Sequence, residues 1–343
     1  SLVCEPNDIP MDSRHLQIQR NVLTLTDKPY MGGSISGLAT ADSIRMAEIV
    51  FGSREAIEAR PVMFVIVNCN SPLRWDTRML EAMMTCAAAG QAPMLTPFLL
   101  MGAMSPVAIG AALAQQTAEA FAALALCQLI RPGGPVIMGS FLSNTDMQSG
   151  SPGFGGPESA IGLLCSGQIA RRYNIPWRSG GGGLTSSPQV DAQAGYEAFN
   201  TLSSAFLAGA SVVMQSTGWL ESGLVSCFEK FIMDIEIVKM LQVQFTPITI
   251  DLAFEAHQEV GHGGHFLGAA HTLERFRDCF YRPMLSTTEN WERWKRNGSK
   301  DAFARASDLV DSSLERWERP AIDDGVLAEL DEFVARRTAE LGD

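Results

Sequence analysis

Short apolar runs and longer amphipathic runs take turns along this chain. Residues 62–67, VMFVIV, are apolar throughout between Pro61 and Asn68, as expected of a strand covered on both faces. Residues 76–89 carry a helical pattern that stops at Gly90, and Met94 and Leu95 begin another strand with PFLLMGAMSP as its outgoing loop. The rhythm repeats with helices over 107–130, 158–172, 191–208 and 226–243, and strands over 136–138, 175–177 and 211–215. Upstream, 1–20 read as an extended polar arm, 22–25 as a strand, and Thr40 as the opening of a helix that ends before Gly52. Downstream, 248–260 read as a helix, and 291–343 as charged and helical. About six strand–loop–helix units predict a parallel sheet with helices packed outside it.

Outgoing loops are richer in polar residues and glycine than return loops, which fits a TIM-type (β/α)8 barrel with its site at the C-terminal face of the strands. Six visible strands fall short of eight. Either two are hidden in the pattern, or the first part of the barrel lies upstream of Ser1. Residues 1–285 are read as the barrel domain, and 286–343 as a helical extension packed on the barrel or at an oligomer interface. The organising stretch is 135–183. Its first loop runs from Gly139 to Pro157, about three times the usual ~2–6 residues of a βα loop, and its second mouth is RSGGGG at 178–183.

Aromatic residues are only 8% of the chain, yet Tyr30, Trp75, Phe98, Phe141, Phe154, Trp177 and Trp219 all fall at or just past expected strand ends. In a barrel they would converge on one mouth, and about half are expected to pack under the loops. Ring faces suit an organic cation, above all a quaternary ammonium, which has no N–H to donate. Arg178, His265 and the backbone N–H groups at 180–183 are the candidate donors for an anionic end of such a ligand, with Arg74 and Arg131 further off. Gly181, Gly182 and Gly183 are also the candidate cofactor contacts, although the run lacks the sixth-position glycine of a dinucleotide fingerprint. Asp146 and Glu158, with Gln148 in the same loop, are the candidate acid–base residues. Glu158 has a second reading, as a carboxylate complementing the dipole of a helix first turn.

Composition narrows the class. A formal charge of −12 disfavours nucleic acid as a partner. Seven cysteines without CxxC spacing argue against a disulfide framework or zinc ribbon and point to a reducing cytoplasm. No basic leader opens the chain, and the most apolar stretch, 108–130, is interrupted by Gln115, Gln116, Glu119 and Gln128, so no membrane span is expected. His257, His262, His265 and His271 cluster, but no cysteine or carboxylate stands at ligand spacing, so no tightly bound metal is expected. No GxSxG occurs, leaving hydrolase chemistry unsupported.

Several segments together carry a family resemblance: GAMSPVAIGAALAQQTAE, QLIRPGGPVIMGS, TDMQSGSPGFGGPE, DAQAGYE and VGHGGHFLGAAHTLERFR. They resemble the trimethylamine methyltransferase family of corrinoid-dependent barrel enzymes. The resemblance implies methyl transfer from an amine to the Co(I) of a corrinoid carried by a separate protein. Trimethylamine-specific members use pyrrolysine; no non-standard residue occurs here, and Gln148 and the loop at 185–187 are the candidate equivalents of that position. The chain is therefore similar to the non-pyrrolysine branch, which includes glycine betaine methyltransferase, and a quaternary amine such as a betaine is the implied substrate. A quaternary amine leaves without needing a proton, consistent with the lack of an evident strong acid or metal site. The implied partners are a corrinoid protein and further copies of the chain. Two alternatives stand beside this reading: a silent barrel that binds betaines or methylamines without turnover, and an unrelated lyase or isomerase using Asp146 and Glu158.

Overall fold

A computed structural model describes residues 6–342. Residues 1–5, with Cys4 and the start of the expected N-terminal arm, lie outside the described residues. The chain runs α1 (Met11–Thr24), β1 (Tyr30–Met31), α2 (Gly37–Phe51), α3 (Arg54–Ala59), β2 (Met63–Asn68), α4 (Thr77–Ala88), β3 (Ala92–Thr96), β4 (Phe98–Met101) and α5 (Ile109–Ile130). It continues with β5 (Ile137–Thr145), β6 (Pro152–Gly153), α6 (Pro157–Arg172), β7 (Trp177–Ser179), α7 (Ala192–Leu207), β8 (Val212–Val213), β9 (Trp219–Leu220), β10 (Val225–Ser226) and α8 (Phe228–Gln244). Five helices close it: α9 (Phe254–Val260), α10 (Ala270–Arg275), α11 (Trp291–Arg296), α12 (Ala302–Glu315) and α13 (Asp324–Gly342).

The sheet follows the order β1-β2-β3-β5-β7-β8, parallel throughout, with each crossover passing through a helix. Among the described residues β1 and β8 do not pair with each other, so the sheet is an open parallel wall. Alternation along the strands divides its two faces. Met63, Val65 and Val67 of β2 and Leu95 of β3 pack with Met83 and Cys86 of α4 and Cys127 of α5. Met138 and Trp177 pack against Leu163 of α6 and Ala205 of α7. The opposite face of β5 and β7 carries Gly139, Phe141 and Arg178.

The helix boundaries have local causes. Asp76 and Asp191 each accept a hydrogen bond from the backbone N–H three residues on, capping α4 and α7. Ser36, rather than Thr40, caps α2, and Thr40 instead donates to Gly33 O at 2.8 Å.

Three expectations are corrected. From Met11 to Thr24 the expected arm and strand are instead one helix, α1, because His15 and Gln19 find buried partners in Asp42 and Met31 O while Leu16 packs on Met46 and Phe333. The outgoing loop after β3 contains β4, which pairs in parallel with the second half of β5, Phe98 opposite Phe141. The long loop after Met138 is in its first part a continuation of β5, and β6 pairs back onto it antiparallel at Asn144 and Thr145. The C-terminal helices pack on the sheet's helical layer: α12 on α8 through Ile232, Leu285 and Ala306, and α13 on α1 and α2 through Leu330 and Phe333.

Candidate functional site

Phe98, Phe141 and Phe154 form one ring cluster. Phe98 stacks on Phe141 at 4.5 Å, and Phe154 stands edge-on to Phe141 at 5.0 Å and to Phe98 at 6.4 Å. Leu184 is buried with them, and Leu100 and Trp219 pack alongside. These residues come from β4, β5, the turn after β6, the loop after β7 and β9. The sequence scatters them over more than a hundred positions, and parallel strand order gathers them at the C-terminal side of the sheet.

Beside the rings lies a buried cation. Arg178 is 2% exposed and stands opposite Gly139 in the β5–β7 register. Its Nη2 donates to Gln215 Oε1 at 2.8 Å and its Nη1 to Ser140 O at 3.4 Å, while its Nε is buried with no partner among the described residues. Among the described residues no carboxylate pairs with it, and burial alone lowers its pKa to about 10, so it is charged at neutral pH. Gly180 lets the guanidinium and the cluster share a wall: a Cβ there would stand 2.7 Å from both Arg178 Nη1 and Phe141 Cδ2. A buried cation without an anion is costly unless a ligand completes it.

The glycine run has a different role from the one expected. The N–H groups at 180–183 are already engaged, by Ser140 O, Gln215 Oε1, Met214 O and Gln215 O respectively. Gly181, Gly182 and Gly183 therefore do not present a row of free donors to a cofactor or a carboxylate. Their lack of side chains instead lets this loop lie against Phe141, Val213 and Ser216.

The other expected residues are dispersed. Tyr30 is buried in the core between sheet and helices, where burial pushes its hydroxyl pKa up, and Trp75 packs against that same core. Trp177 points away from Arg178, its neighbour in β7, and its Nε1 donates to Ser140 Oγ at 2.8 Å in the outer layer. Asp146 is exposed and closes its own turn, accepting from Gln148 N at 3.0 Å and Ser149 Oγ at 2.7 Å, and these bonds lower its pKa. Gln148 is exposed in that turn, and Glu158 occupies the first turn of α6. His265 is exposed ahead of the Phe266–Gly268 turn, and His271 reaches Asp251 at 3.3 Å. Among the described residues no group of His, Cys, Asp or Glu is arranged to hold a metal.

Sequence reading missed the pair beneath the site. Lys230 and Asp234, one turn apart on α8, are each 1% exposed in their side chains and meet at 2.6 Å. Lys230 Nζ also donates to Gly183 O at 3.4 Å, and Asp234 Oδ2 accepts from Gly218 N at 2.8 Å. The pair thus fastens the glycine loop and the loop before Trp219 to one helix. Its signal was available: two opposite charges at i and i+4 within the apolar run FEKFIMDIEI.

The open parallel α/β sheet thus carries, at the C-terminal ends of its strands, an aromatic cluster beside an arginine that no carboxylate pairs with among the described residues. The chain belongs to the trimethylamine methyltransferase family: the family profile "Trimethylamine methyltransferase (MTTB)" matches residues 1–342. It is 39% identical to a glycine betaine methyltransferase of Desulfitobacterium hafniense (strain Y51) over 99% of this chain and 71% of that protein. It is 27% identical to the trimethylamine methyltransferase MttB of Desulfitobacterium hafniense (strain DSM 10664 / DCB-2) over 98% of this chain and 68% of that protein. It is 29% identical to a proline betaine:corrinoid methyltransferase of Eubacterium limosum over 61% of this chain and 44% of that protein. Among the described residues no helix is long and apolar enough to cross a membrane.

Proposed function

We propose that this chain moves a methyl group from a betaine, glycine betaine or a close relative, to the Co(I) of a corrinoid held by a separate protein. The observation that carries the reading is the juxtaposition of the Phe98–Phe141–Phe154 cluster with Arg178, a buried cation paired with no acid among the described residues. Ring faces of the cluster around Phe141 would hold the trimethylammonium end. Arg178, through its unpartnered Nε, would take the carboxylate. One N–CH3 bond breaks with its electron pair staying on nitrogen, and two electrons of Co(I) form the new bond to carbon. The departing tertiary amine needs no proton, so neither Asp146 nor Glu158 is required as an acid. The protein's share is orientation and exclusion of water.

In this reading the sheet is one wall of a (β/α)8-type barrel spanning 1–285, with 286–343 as its helical extension. The corrinoid protein docks over the strand C-terminal ends, the compartment is the cytoplasm, and the chain self-associates. Calorimetric titration tests the binding half. Glycine betaine should bind, glycine should not, and trimethylamine should bind more weakly because it lacks the carboxylate. Equal binding of glycine and glycine betaine would refute the cation site.

A further inference from the structure

Gln215 stands at a conspicuous place for a neutral residue. Its side-chain oxygen accepts from Arg178 Nη2 at 2.8 Å and from Gly181 N at 3.4 Å, and its backbone oxygen accepts from Gly183 N at 2.8 Å. Its φ is +49°, in the left-handed region that non-glycine residues enter at a cost. A strained, half-buried glutamine is thus bonded to both the arginine and the loop that carries it. Both of its side-chain contacts are N–H donors, which fixes the amide with its oxygen inward. A carboxylate at this position would satisfy the same two donors and would neutralise the guanidinium. The amide satisfies them and leaves the charge intact.

We propose that Gln215 is a positioning residue that aims Arg178 and keeps it without an internal counter-ion, so that the site selects quaternary amines bearing a carboxylate over those without one. The inference rests on the betaine reading above and adds to it the residue that sets the selectivity. Deep burial of the guanidinium makes the choice sharp, because a ligand lacking the carboxylate leaves the cation uncompensated. Gln215 itself touches neither the reacting methyl group nor nitrogen in this scheme and acts through Arg178.

Glycine betaine and choline share the trimethylammonium head and differ at the other end, so their ratio isolates this term. Titration of the wild-type chain with each should show glycine betaine binding about tenfold tighter or more, the scale of a hydrogen bond to a charged group. Gln215→Glu should lose about tenfold or more for glycine betaine while choline is held as well as before or better. Gln215→Asn, which tolerates a positive φ but falls short of Arg178, should weaken glycine betaine and leave choline unchanged. A merely structural role would lower both affinities together, and that result overturns the inference. Equal wild-type affinity for the two ligands overturns the inference and leaves the cation site standing. Failure of both ligands to bind wild-type protein overturns the betaine reading and this inference with it.

Discussion

Replacing Lys230 by Met exposes how the site is held. The ammonium is 1% exposed and contacts both oxygens of Asp234 at 2.6 Å. Without it, Asp234 keeps one hydrogen bond, from Gly218 N. Breaking a buried pair in this way costs about 3–5 kcal/mol. Asp234→Asn retains an acceptor for Gly218 but leaves the ammonium with Gly183 O at 3.4 Å, and should cost a similar amount. The double variant, Lys230→Met with Asp234→Asn, buries no net charge and should recover most of the loss, giving a coupling of roughly 3 kcal/mol. Burial outweighs Lys230 and lifts Asp234 from the ordinary 3.8 to about 6. A raised carboxyl pKa contributes stability that is full below 3.8 and is lost as pH rises through about 6. Protonation of Asp234 in acid removes one charge of the pair, so the coupling should shrink as pH falls from 8 to 5. Urea unfolding of the four proteins at both pH values is the assay. Additive single effects below about 1 kcal/mol, equal at the two pH values, would refute the reasoning.

Two further substitutions probe the rings and the scaffold. Phe141→Ala removes the ring that both Phe98 and Phe154 contact; a stability loss of about 3–5 kcal/mol in thermal melts and loss of glycine betaine binding in calorimetry are expected. Asp191→Ala deletes the α7 cap to Ala194 N and the bond from Ser187 Oγ, and should lower the melting temperature at neutral pH. Those bonds hold the Asp191 pKa down, so its contribution is present above the ordinary 3.8 and lost as pH falls through the lowered value, and a pH series of melts should show the variant and wild type converging in acid.

Much of the frame was legible because its signals are local. Asp76, Asp191, Gly52 and Gly90 mark helix ends in the sequence and do so in the structure. Helix α1 was not legible, since His15 and Gln19 read as surface residues until Asp42 and the Met31 carbonyl supply their partners. Of the aromatics counted at strand ends, the structure gathers Phe98, Phe141, Phe154 and Trp219 into one cluster and places Tyr30, Trp75 and Trp177 in the packing between sheet and helices. Parity separates Trp177 from Arg178 without a structure, since the two are adjacent in one strand and face opposite ways. Gln215 carries no sequence signal, because its place is set by a backbone turn and by an arginine 37 positions away.

Methyl transfer itself tests the central claim most directly. The chain is incubated with glycine betaine and chemically reduced cob(I)alamin, and both dimethylglycine and the methylated corrinoid are quantified. The account predicts equal amounts of the two products, formed only with the protein present and lost in Phe141→Ala. Binding of glycine betaine without either product, under conditions where a glycine betaine methyltransferase control turns over, would contradict it.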